Sequence, residues 1–358
     1  MTRVKRVGTT VAVIVVAVCG VAVGTPLGAS GVSGPTSVGA KPRVPGAGHG
    51  VYLGAWVNPK GVSGTGGPAS QELAQLRSFD AQAGREMAVL HVYSGWWVPA
   101  PTDALDEVSD SYGAIPLLDW GCDDQDKDVA TGKDDKLIYA YAQALQRYAK
   151  PVFLRWFWEM NLTTSQHAAC TNSPSDFTQA WQHIWKLFHG EVAYNGHTID
   201  ASNVAFVWCP SVSKSDYADY YPGNGYVDWI AVDGYSRAGQ GRPTFPTLFA
   251  SFYHWAQSED PDAPIMIAET GSGADAPTDN DAGSIQAAYL SSIGAAVAPN
   301  GPMRAVQAVV YFDAVGKAGS WVLQPGPGLN AFKALGRQLT FGEPPPTGLT
   351  TSRPSYDR

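Results

Sequence analysis

The chain alternates between short apolar runs and segments in which apolar residues recur every three or four positions. The apolar runs have the length of strands and little polar alternation, which is typical of parallel strands buried on both faces. We predict eight strands from them: Val51–Val57, Met87–Tyr93, Ala114–Trp120, Val152–Trp158, Val204–Trp208, Val227–Val232, Ile265–Ala268 and Ala305–Phe312.

Helical spacing of apolar residues fills most of the intervals between these runs. We predict helices over Gln71–Ala83, Asp135–Ala149, Ser173–Phe188, Thr247–Ser258, Ser284–Ala296 and Leu329–Leu339. Strands that alternate with helices predict a (β/α)8 barrel, the TIM-barrel fold, as a single domain over residues 50–341. A doubly wound sheet is the alternative, but no glycine-rich phosphate-binding turn follows the first strand.

Both ends of the chain have the composition of segments outside a folded domain. Residues 1–30 combine Arg3, Lys5 and Arg6 with the apolar stretch Val11–Val23, which predicts a secretion signal. Residues 31–49 are rich in glycine, proline and serine and predict a flexible linker, and residues 342–358 predict a disordered tail. We expect a secreted monomer without membrane attachment after signal cleavage; an uncleaved membrane anchor is the alternative.

Composition limits the class of partner. The formal net charge is −8, and an acidic surface repels phosphates, so we expect no nucleic-acid partner. The 12 Trp and 16 Tyr residues suit the stacking of sugar rings, which favours a neutral polysaccharide as the ligand.

Three cysteines follow the predicted signal. Cys122 and Cys170 both lie in polar loops just after predicted strands, so we predict a disulfide between them, with Cys209 a free, buried thiol. No CxxC or HExxH motif occurs, so we predict neither a metal site nor a cofactor. The acidic stretch 123–135 has partial calcium-loop spacing, but Val129 stands where the turn glycine belongs, and we favour a solvated acidic loop.

Two apolar runs end in a glutamate. PVFLRWFWEMN (151–161) contains Glu159 and ends at Asn161, and PIMIAETG (264–271) contains Glu269. In a barrel the carboxyl ends of all strands meet on the face that holds the active site. Two carboxyl groups there predict a general acid and a nucleophile that act on one glycosidic bond. Strand-end glutamates that merely face solvent are the alternative.

These motifs resemble glycoside hydrolase family 26, a family of retaining (β/α)8 barrels. PVFLRWFWEMN is similar to its fourth strand, VDWIAVDGY (227–235) to its sixth, PIMIAETG to its seventh, and AVVYFD (308–313) followed by Trp321 to its eighth. The resemblance implies that Glu159 is the acid/base, that Glu269 is the nucleophile and that Tyr235 hydrogen-bonds the nucleophile. With the strand-end positions it also yields the remaining substrate-binding candidates: His91, Trp97, Trp120, Asn161, Trp208 and Trp321.

The sequence departs from the family pattern beside Glu159. The family usually has histidine just before the acid/base, where this chain has Trp158, and glycine after the asparagine, where it has Leu162. The resemblance implies an endo-β-1,4-mannanase, with a β-1,3-xylanase, a mixed-linkage β-glucanase or a non-catalytic carbohydrate-binding barrel as alternatives. We expect the two carboxyl groups about 5–5.5 Å apart, as in retaining enzymes. The triplet Asn161-Leu162-Thr163 matches a glycosylation site, but we interpret the match as chance.

Overall fold

The structure is a computed structural model that describes residues 50–58, 69–162, 170, 173–273, 281–316, 319–338 and 340–341. The predicted signal, linker and tail therefore lie outside the described residues and stay predictions. Within the described ranges, no helix has both the length and the apolar character needed to cross a membrane.

Eight parallel strands close into a barrel. Each strand pairs with the next in chain order, and β1 pairs with β8 over seven residues. This arrangement confirms the predicted (β/α)8 fold in a single domain. The strands are β1 Tyr52–Asn58, β2 Val89–Ser94, β3 Ile115–Trp120, β4 Val152–Trp156, β5 Val204–Trp208, β6 Trp229–Ser236, β7 Ile265–Ser272 and β8 Val306–Gly316. A two-residue strand, β9 (Gly319–Ser320), pairs antiparallel with the end of β8.

Helices surround the barrel. They are α1 Ala69–Ala83, α2 Thr102–Asp106, α3 Asp126–Ala130, α4 Asp135–Tyr148, α5 Pro174–Phe188, α6 Phe245–Glu259, α7 Ala282–Val297 and α8 Pro327–Gly336. The two five-residue helices, α2 and α3, were not predicted because segments that short show no helical period. Helix α5 begins as predicted: the Ser173 hydroxyl accepts from the Asp176 N–H at 3.1 Å, and Pro174 occupies the first turn.

Side chains alternate between the barrel interior and the layer between strands and helices, as strand geometry requires. The interior is apolar through its lower part, where it contains Tyr52, Val89, Leu117, Phe153, Val207, Trp229, Met266 and Val310. The outer layer forms a separate and larger apolar cluster that includes Phe177 and Trp181 of α5. These aromatic residues of α5 are core residues, because they lie on the face of the helix that packs against the barrel.

The predicted disulfide is present. Cys122, after β3, and Cys170, in the segment that follows β4, are bonded with their Cα atoms 6.2 Å apart. Cys209 is free and buried, also as predicted. In the acidic loop the Lys133 ammonium lies 3.0 Å from a carboxylate oxygen of both Asp124 and Asp128, so the chain supplies its own cation there.

Candidate active site

The interior becomes polar at the carboxyl ends of the strands. On four strands the next inward position is polar, with His91 on β2, Asp119 on β3, Arg155 on β4 and Asp233 on β6, and β7 adds Glu269. All five are almost fully buried, and hydrogen bonds connect them. The site is therefore a set of connected charges enclosed by the barrel wall.

Glu269 is held by three donors. One oxygen, Oε1, accepts from Arg155 Nη2 at 2.6 Å and from the Tyr93 hydroxyl at 3.3 Å. The other, Oε2, accepts from the Tyr235 hydroxyl. Burial, and next the charge of Glu269, raise the pKa of Tyr235 well above its usual value, so this hydroxyl keeps its proton and donates. The carboxylate is thereby fixed in one orientation, and its negative charge is balanced.

A β-bulge turns Glu269 into the barrel. Val232 pairs with Ile267, but the next residue of β6, Asp233, pairs with Glu269, so Ala268 is an extra residue on β7. Strict alternation after Met266 and Ala268 would point Glu269 outward; the extra residue reverses that direction. His91 Nε2 lies 3.1 Å from the Ala268 carbonyl oxygen and must donate to it, because a carbonyl only accepts. His91 therefore holds the bulge beside the glutamate.

Arg155 is the centre of the buried charges. Its Nε donates to Asp119 at 2.5 Å and its Nη1 contacts both oxygens of Asp233, at 2.9 and 3.0 Å, in addition to the bond to Glu269. The guanidinium carbon lies 5.2 Å from the centroid of the Trp158 ring, which covers it from above. A buried arginine surrounded by three carboxylates satisfies charges that would each be costly alone.

Glu159 is positioned by strained backbone instead of by cations. Phe157 and Glu159 have φ of 46° and 52°, a left-handed conformation that costs non-glycine residues roughly 1–3 kcal/mol each. The Phe157 N–H donates to Trp120 O at 3.0 Å and the Glu159 N–H to Cys209 O at 2.8 Å, so the segment after β4 stays attached to both neighbouring strand ends. These bonds hold the strained turn in place.

The carboxyl group of Glu159 lies in surroundings that favour its protonated form. Burial, and next the negative charge of Glu269, raise its pKa to about 7. Arg155, a hydrogen bond from Ser211 and the charge of Arg237 oppose this rise. Within the described part of the chain, no ion pair reaches this carboxyl group. A carboxyl group with that pKa can give and take a proton near neutral pH.

Asn161 lies below the surface. Its amide nitrogen donates to Ser211 O, and its amide oxygen accepts from the Ser211 N–H, both at 2.9 Å. The side chain is 1% exposed, so it ties the segment after β4 to the end of β5 and does not face the cleft. The same burial excludes a glycan on this amide in the folded chain, which supports our interpretation of the triplet as chance.

The structure divides the predicted aromatic sugar contacts into two groups. Trp97 is 55% exposed at the rim, and the Trp321 ring lies 4.4 Å from the ring of Tyr235. Trp120 and Trp208 are corrected: both are fully buried, Trp120 stacked on Trp96 and Tyr141, and Trp208 against Tyr221 and Trp255. Trp120 follows the inward residue Asp119, and Trp208 precedes the inward residue Cys209. Because side chains alternate along a strand, both indoles point outward.

The sequence analysis did not single out Arg155, and it assigned no role to Asp119, Asp233 and Tyr93, although these three lie at predicted strand ends. Arg155 was read as part of an apolar run, yet a charged residue in a strand buried on both faces requires opposite charges nearby. Asp119 and Asp233 at neighbouring strand ends are those charges. The sequence therefore contained the evidence for a buried ion network: one cation inside a predicted strand and two acids at the ends of other predicted strands.

Comparison with known proteins agrees with this geometry. Residues 123–254 match the sequence profile described as Glycosyl hydrolase family 26. The chain is 28% identical over 242 residues to endoglucanase H of Acetivibrio thermocellus, and 25% identical over 111 residues to a β-1,3-xylanase of a Vibrio species. These matches cover 62% and 30% of this chain but only 24% and 21% of those proteins, so the chain spans about a quarter or less of each.

Solved structures resemble the whole barrel. A β-mannanase from a symbiotic protist of the termite Reticulitermes speratus aligns with a TM-score of 0.56 and 16% identity, over 84% of this chain and 95% of that one. An endo-β-1,4-mannanase from Cellulomonas fimi aligns with a TM-score of 0.53 and 14% identity, over 82% and 72%. At such identities the likeness establishes the fold. In sequence, the likeness to glycosyl hydrolase family 26 covers residues 123–254, just over a third of the chain.

Proposed function

We propose that this chain is a secreted retaining endo-β-glycanase, with β-1,4-mannan as its first candidate substrate. The observation that supports this best is the contrast between its two strand-end glutamates. Glu269 is anchored by hydrogen bonds from Arg155 and Tyr235, whereas burial raises the pKa of Glu159 to about 7. A nucleophile and a proton donor need these opposite properties.

In the first step, Glu159 gives its proton to the glycosidic oxygen while a Glu269 oxygen attacks the anomeric carbon. The bond between that carbon and the leaving oxygen breaks, and a glycosyl ester on Glu269 forms. In the second step, Glu159 takes a proton from a water molecule, whose oxygen attacks the same carbon and releases Glu269. Two inversions give net retention. Arg155 and Tyr235 stabilise the Glu269 carboxylate each time it is free.

Trp97 and Trp321 are the aromatic candidates for sugar contact in this proposal. The exposed Trp97 indole at the rim offers a face to a sugar some distance from the bond that is cut. Trp321 lies against Tyr235 and is itself mostly buried, so it presents little more than a ring edge. His91 acts in our proposal through Glu269, because its ring is occupied by Asp119 and the Ala268 carbonyl.

A second substrate class follows from the named relatives. An endoglucanase and a β-1,3-xylanase share sequence with the chain, while the structural neighbours are β-mannanases. Digestion of mannan, glucomannan, mixed-linkage β-glucan and β-1,3-xylan, with product sizes measured over time, distinguishes these candidates. We expect fastest release from mannan, with oligosaccharides of several sizes early in the reaction, as an endo mode requires.

The inactive reference in this experiment is Glu269→Gln, which keeps the volume of the side chain and removes its charge. Release by the wild-type chain and none by this variant supports the proposal. Binding of a polysaccharide without release by the wild-type chain would favour a carbohydrate-binding barrel instead. An anomeric proton spectrum recorded during hydrolysis tests retention, since a retaining enzyme first produces the β-anomer.

Export is a separate part of the proposal. The basic and apolar pattern of residues 1–30 supports it, and so does the disulfide between Cys122 and Cys170, because such bonds persist in oxidising compartments. Expression with the native N-terminus should place activity in the medium, and the N-terminus of the exported protein should begin within or just after residues 22–31. Activity that stays with the membrane fraction would indicate an anchor.

A further inference from the structure

Arg237 follows the end of β6 at the upper edge of the barrel and is half-buried. Its guanidinium carbon lies 5.5 Å from the ring centroids of both Tyr235 and Trp321. Tyr235 is the residue that donates to Glu269, so the cation lies one aromatic ring away from the proposed nucleophile. Its charge also reaches Glu159: burial raises the pKa of that carboxyl group, and Arg237 is among the groups that lower it.

The guanidinium of Arg237 differs from other arginines near the barrel ends. Arg155 pairs with three carboxylates, Arg242 donates to Gly273 O at 3.0 Å, and Arg85 donates to Gly336 O at 2.7 Å. Among the described residues, no carboxylate or carbonyl oxygen accepts a hydrogen bond from the Arg237 side chain. No described residue therefore competes with a ligand in the cleft for these donors.

The backbone around Arg237 is fixed. Its carbonyl oxygen accepts from the Gln240 N–H at 3.1 Å and from the Arg242 N–H at 3.0 Å, which closes a turn directly after β6. With the turn closed and two rings beneath it, the guanidinium loses little conformational entropy when it binds a ligand. A planar fork of this kind matches a carboxylate, which it can bind through two parallel hydrogen bonds.

We propose that Arg237 determines specificity by binding a carboxylate on the substrate, so that the preferred polysaccharide is a β-glycan with occasional uronic acid residues beside the cleaved bond. The proposal rests on the proposed glycanase function and narrows its substrate class. Occasional substitution matters, because a densely charged polyanion would be repelled by the net charge of −8. A single acidic sugar meets the local cation without that penalty.

Two forms of one polymer test this proposal. β-1,4-Mannan with a small fraction of its C6 hydroxymethyl groups oxidised to carboxylates is compared with the same material after chemical reduction of those carboxylates. For the wild-type chain we expect kcat/KM to be roughly tenfold to a hundredfold higher on the oxidised polymer, the effect of a charge-assisted hydrogen bond. The preference should shrink as salt is added, because the pair is partly exposed.

Three variants identify the cation. Arg237→Gln should reduce the ratio of the two kcat/KM values to about one, and Arg237→Lys should restore part of it. Arg304→Gln removes the same charge from an exposed position just before β8, at the opposite end of the barrel, and should keep the wild-type ratio. No preference in the wild-type chain, or an equal loss on both polymers in Arg237→Gln, would overturn the proposal; the latter would mean that Arg237 binds a neutral hydroxyl.

Binding measurements separate this proposal from the glycanase proposal. If neither polymer is cut, titration calorimetry with oligosaccharides prepared from the oxidised and reduced materials gives the same comparison through Kd. Tighter binding of the oxidised form by the wild-type chain, absent in Arg237→Gln, would retain the acidic ligand class although the hydrolytic function failed. Equal binding of both forms, or of neither, would reject the role of Arg237.

Discussion

The ends of β4 and β7 hold their glutamates in opposite ways. Glu269 is fixed from outside its own strand, by Arg155, Tyr93 and Tyr235, and a bulge supplies its direction. Glu159 is fixed by the backbone of its own segment, which passes through left-handed residues and donates to neighbouring strands. A carboxylate that attacks carbon needs balanced charge, whereas a carboxyl group that transfers a proton needs a pKa near the working pH. In our proposal the two anchoring schemes provide these properties separately.

Replacing each glutamate by alanine tests this difference between the two strand ends with the largest expected effects. Glu269→Ala should reduce hydrolysis of polysaccharide and of an activated aryl glycoside alike by roughly 10⁴-fold or more, because the nucleophile is needed whatever the leaving group. Glu159→Ala should lose about 10²–10⁴-fold on polysaccharide but spare the first step with a dinitrophenyl leaving group. A burst of dinitrophenol followed by slow turnover would show that glycosyl-enzyme accumulates.

Added azide assigns the two roles independently. In Glu159→Ala it should replace the water that now lacks a base, and the product should be a β-glycosyl azide with retained configuration. Rescue of Glu269→Ala instead, with an inverted α-azide, together with a Glu159→Ala variant that is inactive on aryl glycosides, would mean that the roles are reversed.

Removing the cation that anchors Glu269 should lower the stability of the whole fold. Arg155→Met leaves Asp119, Asp233 and Glu269 as buried carboxylates without their counterion, which should cost about 3–5 kcal/mol of unfolding free energy. Urea titration measures this change. The matched control is Arg304→Met at an exposed position, for which we expect a change within about 0.5 kcal/mol. Equal stability of the two variants would contradict a structural role for the ion network.

The fold was predictable because its signals are local. Each buried parallel strand is a continuous apolar run, and each glutamate ends such a run, so barrel and candidate acids could both be found in one sequence. The directions of side chains near strand ends were harder to predict from the sequence. Alternation on β7 would have pointed Thr270 inward, and only the register against β6 and β8 reveals the bulge at Ala268.

The errors in the aromatic contacts have a simple physical origin. Trp120 and Trp208 both end predicted strands, but a position at a strand end does not by itself determine which face of the strand a side chain occupies. Asp119 and Cys209, their neighbours, take the inward positions, and the indoles pack between strands and helices. A parity rule applied from the strand middle would have placed both correctly. No such rule predicts the left-handed turn at Phe157 and Glu159, because neither phenylalanine nor glutamate favours a positive φ.

A smaller effect tests the residue that anchors the proposed nucleophile, Glu269. Tyr235→Phe removes the hydroxyl that donates to Glu269 but keeps the ring that lies against Trp321. We expect kcat to fall by about 10²-fold, the usual cost of one preorganised donor, with a smaller change in KM. Tyr194→Phe, far from the strand ends, is the control. A loss in KM alone would assign Tyr235 to sugar binding and not to the carboxylate.

The smallest expected effect concerns Glu159, at the end of β4, and is measured as the pH dependence of kcat/KM. Glu159 must be protonated for the first step, so kcat/KM should fall as pH rises through about 7, the value to which burial raises its pKa. The Ser211 hydroxyl stabilises the ionised form by a hydrogen bond and so lowers this pKa. Ser211→Ala removes that bond, and the alkaline limb of the pH profile should therefore move to higher pH. Ser291→Ala, on the exposed face of α7, should leave the limb unchanged. An alkaline limb at the wild-type position in Ser211→Ala would contradict this role of the Ser211 hydroxyl.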